Sequence, residues 1–309
     1  MEALFILLLA LVIDLALGEP PLVIHPVAGM GRVASFLIKA GRPRSPAAQF
    51  LYGLGVVLIT VGIFVVPVYY LLSYLRGVNL VVYIIIASVI LKTSLSLREL
   101  RRAAIRVRNL LVDDKLAEAR FELRALVGRD TTNLDKSLMV SATVESVAEN
   151  SCDSFFAPLF YFLFLGLPGA IGYRVINTLD AMIGHHGEFE YLGKFAARLD
   201  SAANFIPARI TALTIVLASW VCRAKATSAW RIMLRDRRKT DSPNAGWTMS
   251  AAAGALEVQL EKVGYYKLGD NLYPLSTSSI DASLRIATTA ALIWGLLVML
   301  TMVIYHAAT

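Results

Sequence analysis

The stretch F-F-A-P-L-F-Y-F-L-F-L-G-L-P-G-A-I-G-Y-R-V-I, residues 155–176, decides how this chain is laid out. It is apolar enough for a bilayer, but Gly166-Leu-Pro-Gly169 interrupts it near its middle. The part before the interruption, Phe155–Leu165, would measure about 16 Å as a helix, roughly half the hydrocarbon thickness. Two readings follow. Either the run crosses once with a kink, or it is a re-entrant hairpin that returns to the side it left. The second would bring Asn177 and Asp180 back beside Glu145 and reverse the parity of every later segment. Irregular backbone at membrane depth is tolerated only where it is buried in protein or lines a cavity.

Outward from this run, Leu4–Leu17, Phe50–Leu75, Leu80–Leu91, Phe205–Cys222 and Ile286–Tyr305 are also apolar. A spanning helix needs roughly 20 such residues. Leu80–Leu91 is therefore short and needs Lys92–Leu97 to complete a crossing. The first run lacks a basic start and a small-residue cleavage site, and reads as a retained anchor. The chain is 57% hydrophobic and 17% charged with a mean hydropathy of +0.61, against about 25% charged in soluble domains. The expected fold class is all-α: a polytopic membrane helical bundle with between four and seven crossings.

The net charge of +7 is concentrated. Arg98–Arg108 holds five arginines and Arg223–Lys239 seven basic residues against one Asp. In a polytopic protein this pattern marks cytoplasmic loops, so no nucleic-acid partner is expected. We read residues 1–309 as a single membrane domain carrying a cytoplasmic helical insertion at 92–151 and a second polar, basic region at 223–285. In the insertion, Leu100, Ala104, Val107 and Leu111 recur at helical spacing. Asp113 or Asp114 is placed to cap a second helix, and Thr131 or Thr132 a third that carries Val140, Val144 and Val147. Cys152 and Cys222 have neither disulfide nor zinc spacing.

Just before the opening stretch, E-S-V-A-E-N-S-C-D sets Glu145, Glu149 and Asp153 at i, i+4 and i+8, with Asn150 beside them. Such residues share one helix face, and like charges there repel. A hard cation such as Mg²⁺ would offset them, since it takes oxygen ligands and usually arrives with substrate phosphates. A solvated face partnered by nearby arginines is the alternative.

Four more polar clusters stand near apolar runs. N-T-L-D-A-M-I-G-H-H (177–186) holds Asn177 and Asp180 one turn apart, then His185 and His186 in a Gly-bounded loop. A-R-L-D-S-A-A-N-F-I-P-A-R (197–209) sets Asp200 and Asn204 at i, i+4, with Arg198 before them and Arg209 inside the run, where an ionisable group is costly unless it snorkels. D-S-P-N-A-G-W (241–247) reads as a turn and an N-capped helix at Asn244, whose start is suited to an anion. D-L-A-L-G-E-P-P-L-V-I-H-P-V (14–27) ends an apolar helix at Asp14 and continues extended through His25. No P-loop, dinucleotide fingerprint or H-E-x-x-H is present.

Taken together, D-x-x-L-G-E-P-P…H-P-V, V-G-R-D-T (127–131), E-S-V-A-E-N-x-x-D-x-x-x-A-P-L-F (145–160), Y-R-V-I-N-T-L-D-A-M-I-G-H, A-R-L-D-S-A-A-N-F-I-P-A-R and S-P-N-A-G-W resemble the integral-membrane adenosylcobinamide-phosphate synthases, the CobD/CbiB family. Glu19 stands where Asp is expected, and Ser151-Cys152 fill a variable pair. The resemblance implies a ligase of cobalamin biosynthesis in the cytoplasmic membrane. Its partners are a corrinoid, an amino alcohol or its phosphate, and the lipid bilayer. It would join a propionate of adenosylcobyric acid to aminopropanol or aminopropanol phosphate.

A carboxylate is a poor electrophile, so activation is expected, most simply by ATP to an acyl phosphate. On that view Glu145, Glu149 and Asp153 hold Mg²⁺ against the nucleotide. Arg129, Arg198 or Arg209 neutralises phosphoryl charge, and one carboxylate or His25 accepts the proton of the attacking ammonium. Asp130, Asn150, Asn177, Asp180, Asp200, Asn204 and Asn244 complete the expected substrate-binding set. Two other classes stay open: a transporter, with polar residues at broken helices, and a regulatory membrane protein like distant relatives linked to cell-wall signalling.

Overall fold

The computed structural model describes residues 1–17, 26–41, 45–185, 187 and 189–308. It is an all-α polytopic bundle. Its helices are α1 (Glu2–Leu17), α2 (Pro26–Ala40), α3 (Pro46–Val78), α4 (Leu80–Ser94), α5 (Leu97–Val112), α6 (Leu116–Leu123) and α7 (Lys136–Ser151). A π turn at Cys152–Phe156 follows, then α8 (Ala157–Ile183), α9 (Lys194–Ala203), α10 (Phe205–Val221), α11 (Ala226–Asp236), α12 (Ala245–Leu256) and α13 (Thr277–Ala308). One antiparallel hairpin, β1 (Leu260–Lys262) with β2 (Tyr266–Leu268), pairs Leu260 with Leu268 and Lys262 with Tyr266.

Among the described residues four helical stretches are long and apolar enough to cross a bilayer: Pro46–Val78, Leu80–Val112, Lys136–Ile183 and Thr277–Ala308. The pair α9 and α10 makes a fifth if counted as one broken span. Their outward faces carry exposed Leu58, Ile63, Leu217, Leu292, Leu296 and Leu300. Apolar area of this extent is costly in water and ordinary in hydrocarbon, so the chain is a multi-pass membrane protein. Hydroxyls in these helices are returned to their own backbone. Thr60 donates to the Val56 carbonyl at 2.7 Å, Ser88 to Ile84 at 2.6 Å, and Thr211 to Pro207 at 2.8 Å. Each of these three hydroxyls thereby keeps a partner at membrane depth.

The chain divides into two compact units. The first comprises residues 1–96, 157–203 and 298–309. Its core packs Met30 and Ala34 of α2, Val56 and Val57 of α3, and Ile171, Val175 and Leu179 of α8. The second comprises residues 97–156 and 204–297. In its core the α5 stripe of Ala104, Val107 and Leu111 meets Val140, Val144 and Val147 of α7, Met249 and Ala253 of α12, and Leu260 and Leu268 of the hairpin. The helical spacing in α5 and α7 thus marks true core positions. The caps differ from the expected ones. Asp135, not Thr131 or Thr132, caps α7 by accepting from Leu138 N at 2.7 Å. Thr131 is instead buried and donates to the Arg120 carbonyl. Asp114 takes a left-handed turn conformation (φ 57°) and pairs with Lys136, while the α6 start has no side-chain cap.

The opening stretch resolves toward the hairpin. Gly166 has φ 65° and ψ −161°, a non-helical conformation inside α8. The Tyr161 and Tyr173 rings stack with centroids 5.3 Å apart. Twelve residues of continuous helix would put their Cα atoms about 18 Å apart. A Cβ on Gly169 would overlap Leu165 and crowd the Tyr161 carbonyl oxygen at 2.8 Å. The two halves of α8 are therefore folded against one another at Gly166, and the Tyr161 hydroxyl donates to the Ala203 carbonyl at 2.9 Å.

The Gly166 conformation is nearly closed to residues with a Cβ, so Gly166→Val is expected to destabilise by about 1–3 kcal/mol. Gly55→Ala, whose new methyl meets nothing within 4 Å, is expected to be neutral or stabilising. Melting temperatures of the detergent-purified variants check both.

Candidate functional site

The sequence-derived candidates divide between the two units. In the second, α7 is buried from Met139 to Ala148 because α5, α6, α12 and β1 all pack against it. Glu145 is consequently inside the protein, 5% exposed. Its Oε1 accepts from Ser141 Oγ at 2.7 Å, its Oε2 accepts from the Tyr266 hydroxyl at 3.0 Å, and Arg129 Nη2 lies 3.3 Å from Oε2. A buried carboxylate is tolerable only with such partners. Ser141 also accepts from the Glu261 N–H at 2.8 Å, tying the hairpin to the same point. Burial, and then the charge of Glu145, push the Tyr266 hydroxyl well above the usual phenol range. It therefore stays a proton donor at any physiological pH.

Glu149 is exposed and Asp153 half-buried, one turn further along. The three carboxylates read on one face thus differ in exposure, and both Glu145 and Glu149 act on the Tyr266 hydroxyl. Among the described residues, no group of three or more His, Cys, Asp or Glu side chains is gathered closely enough to hold a metal ion. Both Glu145 oxygens have partners, and a π turn that starts at Cys152 follows α7. π turns inside helices are frequent at functional sites. This one is braced by Trp294, whose indole N–H donates to the Phe156 carbonyl at 3.2 Å while its ring stacks on Phe156. Asn150 donates to Ser146 Oγ at 2.7 Å, and buried Asn204 accepts from Cys152 Sγ at 3.7 Å.

Arg209, at the start of α10, donates from Nη1 to Asn244 Oδ1 at 2.7 Å and to the Phe205 carbonyl at 2.6 Å. Asn244 precedes α12, as expected, but its side chain does not cap the helix. Ser242 Oγ does so, accepting from Asn244 N and Ala245 N at 3.3 and 3.2 Å. This leaves the Asn244 amide oxygen for Arg209. Asp130 is exposed and spent locally. Its carboxylate accepts from the Thr132 hydroxyl and N–H, which hold its pKa below the usual carboxylate range.

In the first unit, Asn177 donates to buried Asp200 Oδ1 at 3.4 Å and accepts from Arg174 Nη1 at 3.4 Å. Arg174 Nη2 reaches Ser96 Oγ at 3.3 Å. Asp200 lies in α9, which ends at Ala203, and Asn204 is the residue before α10. Asp180 is half-buried against Gly184, where any Cβ would collide with its carboxylate. Arg198 is exposed, and His185 is an exposed loop residue whose Nε2 lies 3.1 Å from the Ala181 carbonyl. His25 and His186 lie outside the described residues. A hollow of about 600 Å³ beside the α8 hairpin is lined by Val61, Tyr161, Pro168, Tyr173 and Leu199 among others, none of them charged. It is not where the polar candidates gather.

Comparison with known proteins places this geometry. The family described as "CobD/Cbib protein" matches residues 7–287. The chain belongs to the CobD/CbiB family. A cobalamin biosynthesis protein CobD from Dehalococcoides mccartyi is 52% identical over 96% of both chains. A probable cobalamin biosynthesis protein CobD from Methanothermobacter thermautotrophicus is 40% identical over 96% of this chain and 97% of its own. One from Pyrococcus furiosus is 42% identical over 84% and 85%. No solved structure matches the chain.

In this CobD/CbiB chain, several buried polar contacts within each unit escape sequence reasoning. Ser141 stands at i−4 from Glu145 and was legible in principle, whereas Tyr266 arrives from 121 residues away with no local signal. Lys92 is only 3% exposed and lies 3.6 Å from Asp14 across α1 and α4, an ion pair no spacing announces. Asp236 has a side chain with no exposure and accepts from Arg235, Lys239 and the Gly269 N–H at 2.7–2.9 Å, clasping α11 to the end of β2.

Arg129→Met is expected to strip Glu145 of its cation and cost about 3–5 kcal/mol, with much of the loss recovered in Arg129→Met/Glu145→Gln; chemical denaturation of the three proteins tests this. For Asp236, burial alone would raise the pKa, but its donors outweigh that and hold it down to about 2. A depressed carboxylate pKa stabilises above its ordinary value of 3.8, and that stability is lost as pH falls from there through about 2. Acid unfolding of Asp236→Asn is expected to lose this component.

Proposed function

We propose that this chain acts in cobalamin biosynthesis as an amide-forming ligase of the cytoplasmic membrane. It would join a propionate carboxylate of adenosylcobyric acid to the amine of 1-aminopropan-2-ol or its O-phosphate, with ATP supplying the activation. The observation that carries the reading is the family match over 7–287, joined to relatives that bear the name of that pathway over nearly their whole length.

Physical features of the site support it. A ligase handling two carboxylate-bearing or phosphate-bearing substrates needs fixed cations and fixed acceptors. The second unit supplies Arg129 on Glu145 and Arg209 on Asn244. Arg129 Nη2 faces Glu145 Oε2 in the ion pair, while Arg129 Nε is buried and makes no hydrogen bond in the structure. This leaves a guanidinium donor to be satisfied by a ligand anion. Held against Glu145, the Arg129 head group is already oriented, so binding costs little rotamer entropy.

Magnesium fits this chain only in part. It is commonly held by one or two carboxylates plus substrate phosphates, so Glu149 and Asp153 would hold it, while Glu145 serves to position Arg129. When bound, the ion would neutralise nucleotide phosphate charge. Release of the ammonium proton falls to a carboxylate of the second unit, and Glu149 is the exposed one. A transporter reading draws on the break at Gly166, but the hollow beside that break has no charged lining residue among those described.

Expression in a strain lacking corrinoid amidation is the direct test. Rescue is expected on cobyric acid; growth restored by cobinamide alone would remove the ligase reading. In membranes, Glu149→Gln is expected to lower ligation at limiting Mg²⁺ by at least tenfold and to be partly rescued by excess Mg²⁺. Unchanged ligation would take Glu149 out of the metal site.

A further inference from the structure

We infer that Arg209, Arg237 and Trp247 form a phosphoryl-group site in the second unit. The Arg209 guanidinium carbon lies 4.9 Å from the centroid of the Trp247 ring and 3.7 Å from that of Phe205. The Arg237 guanidinium carbon lies 5.0 Å from the same Trp247 centroid. Two like charges are thus held within about 10 Å of each other by one indole, and Coulomb repulsion opposes the arrangement. Neither guanidinium forms an ion pair with a described carboxylate. Arg209 is bonded only to the Phe205 and Pro243 carbonyls and the Asn244 amide, and Arg237 to the Leu234 carbonyl. All four acceptors are neutral, so the two positive charges stand uncompensated while several of their N–H donors are unspent.

The local sequence is built to hold this pair. A Cβ on Gly246 would collide with the Arg237 carbonyl oxygen and with Thr240 Oγ1. The missing side chain lets the 237–240 backbone lie directly on the first turn of α12, next to Trp247. Asn244, freed from capping by Ser242, fixes Arg209 from the other side of the chain. Cation–π contact holds each guanidinium near a ring without consuming its N–H donors. Planar forks presented in this way match phosphate oxygens bidentately. A phosphate carrying about −2 would neutralise both arginines at once.

Two sources share this chemistry: a soluble phosphate monoester or nucleotide, and the phosphate of a lipid headgroup. The site itself rests on geometry; only the identity of a soluble phosphate rests on the amidation reading. The full chain, delipidated in a sugar-headgroup detergent, is titrated with inorganic phosphate and, separately, with phosphatidylglycerol, following tryptophan fluorescence and calorimetric heat. Saturable binding of at least one is expected, weakened tenfold or more in Arg237→Gln, less in Arg237→Lys, with the fluorescence change absent in Trp247→Phe.

Phosphate binding that phosphatidylglycerol does not displace would support the site with a soluble source. Lipid binding without phosphate binding would support it with a headgroup source. Equal binding of both ligands by wild-type protein and by Arg237→Gln that melts normally, or binding of neither by the wild type, would overturn it. Corrinoid and nucleotide are absent from the titration, so failure of the amidation reading leaves the result standing. Loss of phosphoryl binding likewise leaves the complementation result untouched.

Discussion

Hydrocarbon offers a polypeptide no hydrogen-bond partner, so peptide groups, hydroxyls and charges at membrane depth are stabilised by partners within the protein. That constraint accounts for the near-absence of sheet among the described residues and for hydroxyls that bond back to the carbonyl one turn earlier in α3, α4 and α10. It also accounts for the Lys92–Asp14 pair between α1 and α4. Where the helix is broken, packing stands beside the break. Tyr161 and Tyr173 on the two sides of Gly166 stack on each other, and Trp294 donates into the π turn at 152–156.

The same rule explains why the polar candidates are not a pool of free ligands. A buried carboxylate such as Glu145 persists only because Ser141, Tyr266 and Arg129 converge on it. The result is an arginine held in place against Glu145. Asp236 is likewise engaged in holding α11 to the hairpin. Arg209 and Arg237 on Trp247 have neutral hydrogen-bond partners, and Glu149 lies at the exposed end of α7.

Legibility of the fold followed the range of the interactions involved. The apolar runs, the α5 stripe and the valines of α7 are local periodicities, and the described structure places them in helices and in the core. Helix ends were read less well, since Asp135 and Ser242 cap where Thr131, Thr132 or Asn244 were expected. Several residues near each helix start have the right chemistry, and tertiary packing selects among them. In the candidate site, the motif positions were visible but their roles were not. Spacing put Glu145, Glu149 and Asp153 on one face, and it could not show that α7 is packed on every side.

From the amino-acid order alone came the membrane class, the helical architecture, the positions of the polar motifs and the family, because these depend on composition and on repeats within a few residues. Tertiary structure alone decided that the run at 155–176 folds back at Gly166, that Glu145 is taken by Arg129 and Tyr266, and that two arginines meet on Trp247. Each of those depends on a backbone conformation or on partners tens to more than a hundred residues apart, and the energy of a buried charge or a helix break is set by what surrounds it.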